Sequence, residues 1–233
     1  MNATFLIATR NAHKVGEIRA ILGSDFEYLT LADFPGAPPV VEDAGTFAGN
    51  ATKKAVELAA WIRRTQPADD QPRRMYILAD DSGLEVDALN GAPGVHSARF
   101  AALDSGGEGN SKDADNNAKL LRLLQNVPRE KLTARFRCVI ALTPVDGKSR
   151  DSGSVASPVC YADESELRTE IFEGTCEGRI ELTPSGQGGF GYDPLFIPTG
   201  FERSFAELGE DVKNQLSHRA KALAKVKVWL MKR

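Results

Sequence analysis

The chain has 233 residues, of which 42% are hydrophobic and 26% charged; this composition is typical of a globular protein and excludes a disordered or fibrous one. Its 29 basic and 32 acidic residues give a net charge of −3, and no run of Lys and Arg exceeds two residues, so a broad nucleic-acid-binding surface is not expected. A chain of this length can bury enough surface to fold without disulfides or a structural metal.

The first predicted element is an apolar strand at residues 4–8, which is too short for a signal sequence or a membrane span. Three widely spaced cysteines predict free thiols, so we expect a cytoplasmic protein. A polar turn follows at residues 9–14, and apolar spacing from Val15 predicts a helix that ends at Gly23. Free N–H groups at a helix start attract anions, although solvated side chains on a capped helix explain the turn equally well.

A second strand is predicted at residues 26–31, and a Pro-rich connection then leads to Glu42 and Asp43. Thr46 is a suitable N-cap for a helix that runs to about residue 64. Lys53 and Lys54 lie in its early turns, where cations oppose the helix dipole, so at least one of them is expected to have another role. Residues 64–74 are polar and predict an exposed loop.

A third apolar strand at residues 75–79 is predicted to end in the turn Asp80-Asp81-Ser82-Gly83, with a half-buried strand after it. We expect one aspartate to face a cleft and the other to brace the turn, because neighbouring side chains on a strand point in opposite directions. Together with Glu42 or Asp43, the aspartate that faces the cleft would suit Mg²⁺. A turn with no catalytic role is the alternative.

The second half of the chain predicts a helix around residues 118–124 and a strand at 135–142. A strand at 171–180 is expected to be interrupted by Gly174 and Gly178, and another strand is expected at 195–197. A single long helix is predicted from about Lys213. Interleaved strands and helices indicate one α/β domain, residues 1–233, with two lobes and a cleft.

Several common sites are excluded by pattern. The sequence from Gly186 to Gly191 matches a dinucleotide motif, but a strand rather than a helix follows it, and no P-loop is present. His13, His96 and His218 are too dispersed for a zinc site. His218 and Arg219 follow Ser217 at the start of a helix, where they are either site residues or ordinary surface charges.

The ordered set of motifs resembles the inosine triphosphate pyrophosphatase family, which hydrolyses non-standard purine nucleoside triphosphates. The matching pieces span most of the chain: Ala8-Thr9-Arg10-Asn11 with Lys14; Thr46-Phe47 and Asn50-Ala51 with Lys54-Ala55; Ala79-Asp80-Asp81-Ser82-Gly83-Leu84; Gly91-Ala92-Pro93-Gly94 with Ser97-Ala98-Arg99; Asn116-Asn117; Gly189-Phe190-Gly191-Tyr192-Asp193-Pro194; and Lys213 with Ser217-His218-Arg219. The resemblance implies an elongated, two-lobed fold around a central mixed sheet with flanking helices, and a homodimer.

The same resemblance implies Mg²⁺-dependent cleavage to a nucleoside monophosphate and pyrophosphate, by attack of water on the α-phosphorus. Asp81 matches the family's general base and Mg²⁺ ligand, with Glu42 or Asp43 as a second ligand. The implied substrate contacts are the turn Thr9, Arg10, Asn11, Ala12, His13 and Lys14, together with Lys54, Ser82, Phe190, Gly191, Tyr192, Asp193, Lys213, His218 and Arg219. Of these, Thr9, Asn11, Lys14, Lys54 and Lys213 match the family's phosphate contacts.

Base selection has a physical explanation. Hypoxanthine and xanthine have a carbonyl acceptor at position six where adenine has an amino donor, so donors from His218 and Arg219 would favour the first two bases. Phe190 is expected to pack on the purine, and Tyr192 and Asp193 to shape the pocket. The alternatives are a Maf-like nucleotide pyrophosphatase and a nucleotide-binding module without turnover.

This chain departs from the family pattern in three places. Gly49 stands where relatives commonly have Glu, and the acidic stretch from Glu42 to Gly45 is one residue shorter. The segment from about residue 145 to 167 is longer and is expected to form an extended hairpin or loop away from catalysis.

Overall fold

The computed structural model describes residues 3–66, 74–107, 109–145 and 168–232. Most of the predicted loop at 64–74 and the predicted hairpin at 145–167, including Cys160, lie outside these ranges. The strands are β1 (Thr4–Ile7), β2 (Glu27–Thr30), β3 (Met75–Val86), β4 (Thr133–Pro144), β5 (Glu170–Ile180) and β6 (Phe196–Pro198). The α-helices are α1 (Ala12–Leu22), α2 (Phe47–Thr65), α3 (Asp113–Leu124), α4 (Phe205–Leu216) and α5 (His218–Met231).

The six strands form one mixed sheet in the order β2-β1-β3-β4-β5-β6, which confirms the predicted α/β class. β2, β1 and β3 are parallel, whereas β3 to β6 pair antiparallel. Ile7 at the end of β1 pairs with Leu78, so β3 continues eight residues beyond its parallel neighbour, flanked there by β4. The start of α1 therefore lies beside the middle of β3, where the polar residues occur.

Alternating side chains of the strands form a core on each face of the sheet. Phe5 and Leu78 pack with α1 and α5 on one face, and Leu6 and Ile77 pack with α2 on the other. A third cluster surrounds the far end of β3, where Leu84 packs with α3, β6 and the start of α4. No helix in the described ranges is both long and apolar enough to span a membrane.

The predicted turn at residues 80–83 is wrong, because β3 is continuous through it. β4 pairs with every residue of this stretch, from Asp80 opposite Ile140 to Gly83 opposite Arg137. As a result, the two aspartates point to opposite faces, and both are buried. The expectation that one of them braces a turn is therefore also wrong.

The predicted interruption of β5 is wrong as well, since the strand runs unbroken through Gly174 and Gly178. A Cβ atom at Gly174 would lie 2.6 Å from the backbone nitrogen of Ala222 and would also meet the carbonyl oxygen of His218. Glycine here allows α5 to approach the strand closely, which places His218 beside the sheet.

The single long helix predicted from about Lys213 is two helices. Ser217 has an extended backbone (φ −66°, ψ 165°), and its hydroxyl accepts the Ala220 N–H, so Ser217 ends α4 and caps α5. The prediction missed α4, which begins with a capping box between Ser204 and Glu207. Lys213 therefore belongs to the last turns of α4.

Candidate active site

The predicted anion-binding turn lies between β1 and α1. Asn11 caps α1: its Oδ1 accepts the Lys14 N–H at 3.1 Å, and its own N–H donates to the Thr9 hydroxyl at 3.2 Å. Lys14 extends from the first turn of the helix to Asp80, with 2.5 Å between Nζ and Oδ1. The turn therefore places both its capping amide and its cation beside the centre of β3.

Asp80 is a buried anchor with donors from four elements. Besides Lys14, it accepts Arg219 Nε at 2.9 Å, the Ser82 hydroxyl at 2.9 Å and the Cys138 thiol at 3.1 Å. Burial raises the pKa of this carboxyl, but Arg219 and Lys14 outweigh that effect and hold the pKa well below its usual value. Asp80 therefore stays ionised and is fully engaged in positioning its neighbours.

Asp81, on the opposite face of β3, is in a different electrostatic setting. Its Oδ2 is buried with no hydrogen-bond partner among the described residues, and its Oδ1 lies 3.8 Å from Lys54 Nζ. Burial raises the pKa of Asp81 to about 6, although Lys54 and Lys14 oppose the shift. A buried carboxyl with a free oxygen and a pKa close to neutrality can accept a proton or bind a cation.

The structure separates the two acidic residues that precede α2. Glu42 Oε1 lies 3.2 Å from Lys54 Nζ, so Lys54 connects this carboxylate to Asp81. Asp43 is exposed and pairs with Lys53 at 2.6 Å. Glu42 is thus the acidic residue of the pair that shares a partner with Asp81. The expected extra role of a lysine in α2 falls to Lys54, which also donates to the Asp80 carbonyl at 2.7 Å.

A cavity of about 110 Å³ opens beside Lys14 and Ser82 and extends towards α5. Ten predicted substrate contacts line it: Asn11, Lys14, Ser82, Phe190, Gly191, Tyr192, Asp193, Lys213, His218 and Arg219. Ala12 and His13 line a neighbouring cavity, whereas Arg10 is exposed outside both. Thr9 and Lys54 lie outside these two linings.

His218 forms part of the cavity wall. Its ring stacks on Phe136 with centroids 4.9 Å apart, and its Nδ1 is buried without a hydrogen-bond partner among the described residues. Burial and the charges of Arg219 and Lys213 hold the pKa of His218 well below its usual value, so the imidazole is neutral. A neutral ring with an unpaired nitrogen can recognise a polar group of a ligand.

Two predicted cations are already matched by buried acids. Lys213 pairs with Asp193 at 2.5 Å and with Glu17 at 2.8 Å, and its Nζ lies 4.3 Å from the centre of the Phe190 ring. Arg219 bonds to Glu17, Asp80 and Ser82. Lys213 therefore lies beside Phe190 and Asp193, whereas Lys54 is the lysine beside Asp81.

Glu17 and Asp113 were missed in the sequence. Glu17 accepts both Lys213 and Arg219; its position three residues after Lys14, beside the buried Ile18, is the signal that could have identified it. Asp113, at the start of α3, accepts the Gly191 N–H at 2.6 Å and thereby holds the loop that carries Phe190. Only a general preference for acids at helix starts marks Asp113.

Comparison with known proteins gives a consistent picture. The model of the Ham1 family matches residues 5–229. A dITP/XTP pyrophosphatase from Geobacter sulfurreducens is 46% identical over 223 residues, covering 95% of this chain and 94% of the relative. One from Opitutus terrae is 40% identical over 230 residues, covering 96% of each.

Solved structures agree. A HAM1 protein from Coxiella burnetii superposes with a TM-score of 0.74 at 32% identity, covering 99% of this chain and 100% of that one. A nucleoside-triphosphatase, dITP/XTP pyrophosphatase, from Mycobacterium abscessus gives a TM-score of 0.65 at 36% identity, with 96% and 98% coverage. The similarity thus extends over essentially the whole of each chain.

Proposed function

The chain belongs to the Ham1 family, and we propose that it hydrolyses the non-standard purine nucleotides dITP, ITP and XTP to the nucleoside monophosphate and pyrophosphate. The observation that supports this activity best is the contrast between Asp80 and Asp81. One carboxylate is saturated with donors, and its neighbour keeps a buried, unpartnered oxygen and a pKa of about 6. Such a pair separates a structural role from a chemical one on adjacent residues.

The residues around Asp81 fit a divalent cation. Its unpartnered Oδ2 and the nearby Glu42 provide hard oxygen donors, and Mg²⁺ takes few protein ligands when phosphates and waters complete its shell. Among the described residues no group of three acidic, His or Cys side chains could hold a metal ion alone, so the proposal requires phosphate and water oxygens to complete the shell. Bound there, Mg²⁺ would neutralise phosphate charge in the transition state.

The reaction needs one proton acceptor and several phosphate donors. In this proposal Asp81 takes a proton from water as the water oxygen bonds to the α-phosphorus; the bond from that phosphorus to the bridging oxygen breaks, and pyrophosphate leaves. In the metal-free protein the pKa of Asp81 is about 6, so the carboxylate is largely ionised at neutral pH and can accept a proton; a bound Mg²⁺ would lower that pKa. In this proposal Lys14, Asn11 and Lys54 hold phosphate oxygens; their position around Asp80 and Asp81 supports that role.

Selection of the base falls to the opposite end of the cavity. In a neutral imidazole whose proton is on Nδ1, the unpartnered nitrogen of His218 donates to the carbonyl oxygen at position six of hypoxanthine or xanthine. The amino group of adenine would face this donor and leave it unpaired. Most N–H groups of Arg219 are already bound, so His218 carries more of the selectivity.

The decisive experiment measures pyrophosphate release from ITP, XTP, GTP and ATP, with and without Mg²⁺. We expect turnover of ITP and XTP that requires Mg²⁺, with much slower turnover of ATP. Asp81→Asn should abolish turnover while leaving the folded protein intact, and the matched Asp43→Asn variant should retain it. Equal rates on ATP and ITP, or full activity of Asp81→Asn, would contradict the proposal.

The proposal also includes a homodimer of single-domain, two-lobed subunits in the cytosol. The described cysteines, Cys138 and Cys176, are buried free thiols, in keeping with a reducing compartment. Light scattering coupled to gel filtration tests the dimer directly: a mass twice 25.2 kDa is expected, and a monomer at micromolar concentration contradicts it.

A further inference from the structure

The aromatic ring proposed to hold the purine is covered in this structure. The His13 imidazole stacks on Phe190 with centroids 5.2 Å apart and an angle of 14° between the ring planes. His13 is an exposed residue in the first turn of α1, whereas Phe190 lies on the loop that precedes β6. The contact therefore bridges two separate parts of the site.

The spacing leaves no room for a base between the two rings. A purine inserted there would stack on both rings with centroids at least about 4.5 Å apart in each pair, so the two outer centroids would stand roughly 9 Å apart. Because 5.2 Å is an ordinary stacking distance for two rings in direct contact, the imidazole occupies a place where a base would stack. Lys213 Nζ, 4.3 Å from the ring centre, takes up further space against Phe190.

The structure has free space next to the His13 imidazole, into which the ring can move when it leaves Phe190. A cavity of about 150 Å³ adjoins it between α1 and α4, lined in part by Ala12, Gly16 and Phe190. Within the described residues, Gly16 has no atom within 4 Å of where a Cβ would lie, so the helix surface beside His13 is open. The same turn also carries Asn11 and Lys14, so a phosphate bound there contacts the segment that bears the imidazole.

We propose that His13 substitutes for the purine on Phe190 and must leave the ring before a base can stack, so that its imidazole opposes nucleotide binding. This inference rests on the proposed function, in which Phe190 receives the base. Removal of the imidazole should then strengthen nucleotide binding, the opposite of what a direct substrate contact would show. A ligand without a base should not sense the change.

The test compares KM for ITP with the inhibition constant of tripolyphosphate, which has phosphates but no base. For His13→Ala we expect KM for ITP to fall about 2- to 10-fold, the range for loss of one ring stack, with kcat within about twofold. Inhibition by tripolyphosphate should stay unchanged. His13→Phe, which retains a stacking ring, should keep KM at or above the wild-type value, and the exposed His96→Ala is the matched control.

A second measurement does not depend on turnover. In the NMR spectrum of the free protein, the His13 Cε1 proton should show a ring-current shift that disappears in Phe190→Leu and on saturation with IMP. An unchanged or raised KM in His13→Ala, or an equal change for tripolyphosphate, would overturn the inference. Absence of ITP hydrolysis by the wild type would instead refute the proposed function, and the spectrum of the free protein would still report on the stack.

Discussion

At the scale of single residues, two neighbouring aspartates differ in what they contribute to folding. Asp80 is surrounded by donors and its pKa is held well below the usual value, so its ionised form stabilises the fold. Asp81 is buried with one oxygen unpartnered and a raised pKa, so its ionised form destabilises the fold. Opposite stability effects are therefore expected from the same substitution at adjacent positions.

Asp81→Asn should stabilise the metal-free protein, and the gain should grow with pH. Folding raises the pKa of Asp81 from 3.8 to about 6, so the folded state favours the protonated carboxyl. The stability that the protonated form provides is fully present below the unfolded-state pKa and is lost as the pH rises through 6. This shift of about two pKa units predicts that Asp81→Asn raises the free energy of unfolding by about 3 kcal/mol at pH 7.5 and by about 1 kcal/mol at pH 4.5. Urea unfolding in EDTA at both pH values measures the difference.

Asp80→Asn is the matched control, because it removes the same charge one residue away. Lys14 and Arg219 would lose their buried anionic partner, which typically costs about 3–5 kcal/mol. Because the pKa of Asp80 is lowered in the folded state, its ionised carboxylate adds to the free energy of unfolding at neutral pH. This contribution is lost as the pH falls through the folded-state pKa. Destabilisation by both substitutions at pH 7.5 would contradict the separation of roles.

At the scale of secondary-structure elements, what could be predicted from the sequence depends on how local the controlling interactions are. The start of α2 at Thr46 and the end of α1 at Gly23 were predicted correctly, since caps involve residues a few positions apart. The sequence predicts a turn in the middle of β3, because the residues that stabilise the strand there are distant in sequence. Asp80 is stabilised by Lys14, 66 residues before it, and by Arg219, 139 residues after it.

The connection that carries Glu42 shows how two departures from the family pattern fit together. Asn50 accepts the Ala44 N–H at 2.9 Å, which fastens this connection to the first turn of α2. A Cβ at Gly49 would lie only 2.7 Å from the Ala44 Cβ. The short acidic stretch thus lies so close to the helix that glycine is required at position 49, and the sequence shows the two departures without showing their contact.

Gly49→Ala should therefore act through Glu42. The added methyl would push Ala44 and the attached acidic stretch away from α2, because 2.7 Å is well inside the usual contact distance of about 3.5–4.0 Å. If Glu42 holds the metal as proposed, the Mg²⁺ concentration for half-maximal activity should rise about 10-fold, the low end for loss of a contact that supports a metal ligand. Mg²⁺ titrations of activity and calorimetric Mg²⁺ binding both measure this change.

Two further variants make that test specific. Ala44→Gly removes the methyl at 2.7 Å and leaves the Thr46 hydroxyl at 3.1 Å, so the double variant Ala44→Gly/Gly49→Ala should recover most of the Mg²⁺ affinity that Gly49→Ala loses. Gly45→Ala is the neutral control, because a Cβ there meets no atom of the described structure within 4 Å. An unchanged Mg²⁺ requirement in Gly49→Ala, or no recovery in the double variant, would show that the contact does not position Glu42.

At the scale of the whole molecule, the slight excess of acidic residues extends into the candidate active site. The resemblance implied cations from several segments around one triphosphate, yet the structure pairs most of them with acids. The cations are Lys14, Lys54, Lys213 and Arg219, and the acids around them are Glu17, Glu42, Asp80, Asp81 and Asp193. These pairs join residues as much as 202 positions apart, so no local pattern could predict them.

A site with four cations and five acids does not attract a triphosphate by itself, so binding should depend on Mg²⁺. Removing the metal with EDTA should weaken binding of a non-hydrolysable α,β-imido analogue of ITP at least about 100-fold, because charges at this depth interact by several kcal/mol. Uncharged inosine should bind within about twofold of its original affinity. Asp81→Asn removes one negative charge, so in EDTA this variant should bind the analogue about 10-fold more tightly than the wild type does, as measured by calorimetry. Equal affinity of the wild type for the analogue with and without Mg²⁺ would contradict this prediction. It would mean that Lys14 and Lys54 exchange their carboxylate partners for phosphate without the metal.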